Sequence, residues 1–174
     1  MKTLPSNNTL NVVTIAPIEE AIRNTFIDIL KDYTSRSGKK LTKKKVTVGI
    51  AFIEDSAEGM DGTLGTSFDG DNRIMVQVRD PYMDEDAPEE NDYTTLMLLS
   101  VLSHELVHVC QYLTNSPGIP HKIKYNKKDP FESYFFGERE LEARILEPLY
   151  VQKYAYKNFK ELTLQREILD EDER

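Results

Sequence analysis

Apolar residues recur at helical spacing in three stretches of this chain and at strand spacing in two. Ile18, Ile22, Phe26, Ile29 and Tyr33 form one stripe, and with Pro17 in the first turn they predict a helix from about Pro17 to Ser35. Val46 to Ile53 is β-branched and alternating, and Arg73 to Arg79 repeats that character with polar residues on one face, so both are expected as strands. Between them Gly59, Gly62, Gly65 and Gly70 punctuate a segment with room for a short strand at Thr63 to Phe68. A second helical stripe, Leu96, Leu99, Leu102, Leu106, Val109 and Leu113, runs from a cap at Asn91 or Asp92 to a stop at Thr114-Asn115-Ser116-Pro117-Gly118. A third helical stretch begins near Phe131. Pro148 interrupts it, so Glu138 to Glu147 and Leu149 to Ile168 are expected as two helices or one kinked helix. The order predicts an α+β domain with an N-terminal helix, a small twisted sheet, a central apolar helix and a C-terminal helical region.

The central helix carries chemistry inside its apolar stripe: His104-Glu105-Leu106-Val107-His108. Residues four apart share a helix face, so both imidazoles can reach one zinc ion at roughly 2.0–2.1 Å while Glu105 meets a metal-bound water. As plain core residues they would be costly, since an unpaired buried carboxylate costs on the order of several kcal/mol. Two protein ligands are too few for a catalytic zinc, which takes three and leaves a position for water. The third is sought in the later helical stretch, where a carboxylate is held rigidly and Ala143, one turn after Glu140, lets the helices approach. Glu140 is the first candidate. Glu142 is its rival, and because residues two apart point about 200° apart on a helix, only one of them can face the metal.

These residues resemble the zincin metallopeptidases, and within them the gluzincin branch, whose HExxH is followed by a glutamate on a later helix. The likeness spans roughly Tyr93 to Tyr150, with Glu140-Leu141-Glu142-Ala143 similar to the family's ExxA signature. It implies a small zincin-like fold and a Zn2+-dependent peptidase. His104, His108 and Glu140 would be the ligands and Glu105 the general base acting on a water whose pKa the metal lowers to about 7. It also implies that the strand before the metal-binding helix, Ile74 to Arg79, is a sheet edge that pairs with an extended peptide substrate. The chain departs from the pattern at Arg144, where those families place Asp or Asn to orient a zinc-binding histidine. The metzincin pattern is excluded, because it requires Gly and His where Gln111 and Thr114 stand. An alternative resemblance is to SprT-like proteases acting on DNA-associated proteins, with His121 as third ligand and Lys39 to Lys45 contacting phosphates. From another class, the site could be that of a non-catalytic zinc-binding module. Tyr134 is a candidate phenol for stabilising an oxyanion.

Composition bounds these readings. With 174 residues, 39 % hydrophobic and 30 % charged, the chain is expected to be one soluble domain, 1–174, ending in an acidic tail from about Asp170. Net charge −8 and a pI near 5.0 argue against a general nucleic-acid binder. Cys110 is the single cysteine, so no intrachain disulfide forms, and a buried apolar role is expected for it. The start Met1-Lys2-Thr3-Leu4-Pro5 has no apolar signal region, and the longest apolar run is broken by His104, Glu105 and His108. A cytoplasmic protein without a membrane span is the expectation. The stretch Asp80 to Asp92, acidic and broken by proline, is expected as a solvated loop without the pattern of an EF-hand.

Overall fold

The structure is a computed structural model that describes residues 10–14, 19–42, 46–53, 62–67, 73–79 and 92–159. Its elements in order are β1 (Leu10–Thr14), α1 (Glu19–Ser37), β2 (Val46–Ile53), β3 (Gly62–Ser67), β4 (Arg73–Arg79), α2 (Asp92–Thr114), α3 (Pro130–Phe136) and α4 (Glu138–Tyr150), which continues into a π-helical turn, Val151–Ala155. The fold is α+β. Strands β2 and β4 keep the bounds their alternation predicts, and the short strand falls at Gly62–Ser67. Asn91, one of the two cap candidates, Pro17 in the expected first turn of α1, the acidic stretch from Asp80 and the tail from Asp170 lie outside the described residues, and Asp92 is the first residue of α2.

The sheet order is β1-β2-β4-β3, with β1, β2 and β4 parallel and β3 antiparallel to β4. This corrects the expectation for Ile74 to Arg79. β4 is an interior strand, hydrogen-bonded to β2 on one side and β3 on the other, and the edge on that side of the sheet is β3. Alternation reports which face of a strand is buried and is silent on its neighbours. On β4, Ile74, Val76 and Val78 are buried while Arg73, Met75, Gln77 and Arg79 are exposed, so its helices cover one face. There α1 buries its predicted stripe of Ile22, Phe26, Ile29 and Tyr33. Beside it α2 buries Leu99, Leu102, Leu106, Val109 and Cys110 against β3, β4, α1 and α4. By length and composition α2 could cross a membrane, but 61 % of that window is buried inside the fold, as a core helix requires.

Asn115, with φ 51°, ends α2. The chain then turns at Gly118, where φ is +94° and a Cβ would lie 2.2 Å from the Glu138 carbonyl, so only glycine lets this loop press on the first turn of α4. The Ile119 amide donates to that same carbonyl oxygen at 3.1 Å. Asp129 caps α3 by accepting from the amides of Phe131 and Glu132. Pro148 does not divide α4. The Val151 N–H reaches the carbonyls of both Glu147 and Pro148, and the helix widens into the π turn that the proline's missing donor invites. Tyr154 Oη, on that turn, donates to Asp32 of α1 at 3.1 Å, while Tyr150, Ala155 and Phe159 join the core.

Candidate metal centre

Helix α2 turns His104 and His108 toward α4, and the fully buried Ala143 allows α4 to lie close against it. The imidazoles meet edge-on, with ring centroids 4.8 Å apart and Nε2 atoms 3.2 Å apart. Glu140 closes the triangle: its carboxylate is 3.3 Å from His104 Nε2 and 3.1 Å from His108 Nε2. A tetrahedral ion with ligands at roughly 2.0–2.1 Å holds neighbouring donors about 3.3 Å apart, so the three fit one metal ion without rearrangement. Glu140 Oε2 is buried without a hydrogen-bond partner, as a ligand oxygen would be.

The other ring nitrogens decide which tautomer is present. Gln111 Nε2 donates to the Arg139 carbonyl at 2.8 Å and to Glu142 Oε2 at 2.9 Å, which leaves Oε1 facing His108 Nδ1 at 2.8 Å. Nδ1 then donates to Gln111, and Nε2 faces the centre. His104 Nδ1 faces Glu147 Oε2 at 3.2 Å, and the other Glu147 oxygen accepts from Ser100 Oγ. Each ligand histidine thus has an orienting acceptor, the arrangement that raises ligand basicity in metal sites.

Sequence reasoning missed both orienting groups. Gln111 follows His108 by three residues, and Glu147 follows Glu140 by seven, two turns along the same face, so helical period was the available signal. At Arg144, where the resembled families place Asp or Asn, the guanidinium stacks 4.2 Å above the Phe135 ring and lies 3.8 Å from Glu140 Oε2. Glu142 points away from the centre, into the core, where it accepts from Tyr33 Oη at 2.8 Å as well as from Gln111. His121 is outside the cluster, its Nε2 2.6 Å from the Phe136 carbonyl oxygen. Among the described residues, His104, His108 and Glu140 are the one such group able to hold an ion.

The electrostatics follow from packing. Burial opposes charge on His104, but Glu140 and Glu147 outweigh it and raise the imidazole from 6.5 to about 9. Burial likewise opposes charge on Glu140, and the two imidazoles override it to hold the carboxyl at about 2. Glu105, buried within electrostatic reach of both histidines and Glu140, is pushed up by desolvation, the direction that makes a carboxylate a better proton acceptor. Tyr134, exposed on α3, shares a cleft with Glu140, and burial of its hydroxyl and the nearby Glu140 charge push its phenol up. Cys110 is fully buried in the core behind the site. Comparison with protein-family models, with curated proteins and with solved structures finds no match, so the case for this site rests on its geometry.

Proposed function

We propose that the protein is a zincin-type metallopeptidase in which His104, His108 and Glu140 hold Zn2+ and Glu105 is the general base. Two imidazoles and one carboxylate on facing helices are the donor set of a catalytic rather than a structural zinc. A zinc ion there supplies Lewis acidity toward a peptide carbonyl and lowers the pKa of a water to about 7. The residues of the chain supply the rest. Glu105 takes the proton from the attacking water and passes it to the leaving amine, a role its raised proton affinity suits. Glu147 and Gln111 keep the imidazoles turned inward, and Tyr134 stands at the cleft as a hydrogen-bond donor for the developing oxyanion. β3, the antiparallel strand at the edge of the sheet and packed beside α2, takes over the place sought for β4 as the edge along which an extended peptide pairs.

The observation that carries this reading is Glu105 itself, a carboxylate buried beside three converging donors although it is not one of them, which a purely structural site would not need. The deciding experiment measures metal by elemental mass spectrometry and peptide hydrolysis by fluorescence in the same preparations. About one zinc per chain with zinc-dependent cleavage is expected; a protein that takes up no metal when zinc is supplied sinks the proposal.

A further inference from the structure

Between Ile119 and Asp129 the chain reverses the sign of the whole protein. This stretch carries Lys122, Lys124, Lys127 and Lys128 against the single acid Asp129, in a chain of net charge −8. Asp129 is engaged as the α3 cap, and among the described residues none of the four ammonium groups has an ion-pair partner. Lys127 lies over the Tyr125 ring, 5.8 Å from its centroid. Such a concentration of unpaired like charge repels itself and gains from an anionic partner.

The lysines do not stand on an open face. Lys127, Lys128 and Tyr125 line one cleft of about 820 Å³ with Arg139, Tyr134 and Glu140, so the basic loop shares a cavity with one of the three converging donors. Glu138 also lines it, and Glu140 is turned to the imidazoles, which leaves three cations against one free carboxylate. The Pro117–Gly118 turn fastens the start of this loop to α4 through the Ile119 amide and through Arg139 Nε, which donates to the Ser116 carbonyl at 3.1 Å. The start of the loop is therefore held against the first turn of α4, the helix that carries Glu140.

We infer that this cleft receives acidic side chains of a polypeptide substrate, so that cleavage is selective for Asp or Glu beside the scissile bond; this rests on the peptidase reading. A concavity of this size, walled by two tyrosines, takes side chains of an extended peptide.

The test uses two fluorescein-labelled peptides of equal length, one rich in Asp and Glu and one with Asn and Gln in their place. Anisotropy is read with the full-length, zinc-loaded Glu105→Gln variant, and hydrolysis with the wild type. The acidic peptide should bind roughly tenfold more tightly at low salt, since each exposed ion pair is worth up to about fivefold. Lys127→Glu/Lys128→Glu should abolish that preference, and Lys127→Gln/Lys128→Gln should lose part of it. Equal binding of the two peptides overturns the inference, as does a preference that survives both double variants. A thymidine oligonucleotide, or a vesicle of phosphatidylserine and phosphatidylcholine, that binds more tightly than the acidic peptide and depends on the same lysines also overturns it. Hydrolysis of both peptides with equal kcat/KM would keep the peptidase and remove its acidic selectivity. Selective binding with neither peptide cleaved would keep the cleft and remove the peptidase.

Discussion

Tyr33 and Glu142, 109 residues apart in sequence, meet at 2.8 Å in the core, and the carboxylate that receives the phenol is the one that holds Gln111 against His108. A single polar line therefore runs from α1 through α4 to the His108 imidazole of the candidate metal centre. Removing a hydrogen bond to a buried charged group costs roughly 1.5–3 kcal/mol. Tyr33→Phe should lower the urea-derived unfolding free energy by about that amount.

Gln111→Ala acts one link closer to the centre. Loss of an orienting partner typically weakens a metal site about 10–100-fold, and a competition titration with a chromophoric chelator would measure it. An unchanged affinity would show that His108 needs no such support.

Glu140 and Glu142 separate two functions that lie two residues apart on one helix. Glu140→Ala should abolish metal binding while leaving a folded protein. Glu142→Ala should retain the three ligands but leave Tyr33 and Gln111 without their acceptor, a loss of roughly 1–3 kcal/mol for each buried donor left unsatisfied. Metal content and melting curves recorded on the same samples would expose a reversed pattern.

Replacing Glu105 by Gln removes a proton acceptor and no ligand. Zinc content should stay near that of the wild type while hydrolysis falls by about 10²–10⁴-fold, the usual contribution of a general base. Retained activity would move that role elsewhere.

Proton and metal compete for the same imidazole. In the metal-free protein His104 titrates at about 9 against 6.5 when free, so its contribution to stability is complete below about 6.5 and is lost as pH rises through 9. Glu140 titrates at about 2 against 4.5, so its contribution is present above 4.5 and is lost as pH falls through 2. Both contributions are whole between about 4.5 and 6.5. Zinc must displace the His104 proton, so zinc binding near neutral pH should release close to one proton, and affinity should climb with pH up to about 9 before levelling. Calorimetry in buffers of differing ionisation enthalpy would detect that proton.

The elements that sequence located well are those in which one local period decides the outcome. The β-branched alternation of Val46 to Ile53 and of Arg73 to Arg79 fixed two strands, and four-residue spacing placed both imidazoles on one face. Sheet order escaped because it depends on partners: β3, with two glycines in six residues, gives little sign that it screens β4 from the edge. Glu147 escaped because the orienting carboxylate was sought one turn after Glu140 and stands two turns after it. At Pro148 the loss of one donor left two helices or one kinked helix open, and the chain continues as one helix through a π turn.

Among the described residues, the three donors and the groups that orient their rings sit on α2 and α4, and Tyr33 of α1 joins the polar line behind them. The centre is in that sense portable: a pair of helices that keeps the close approach at Ala143 carries the whole donor set. The sheet can then diverge without disturbing the three donors, provided that whatever replaces Tyr33 still satisfies Glu142.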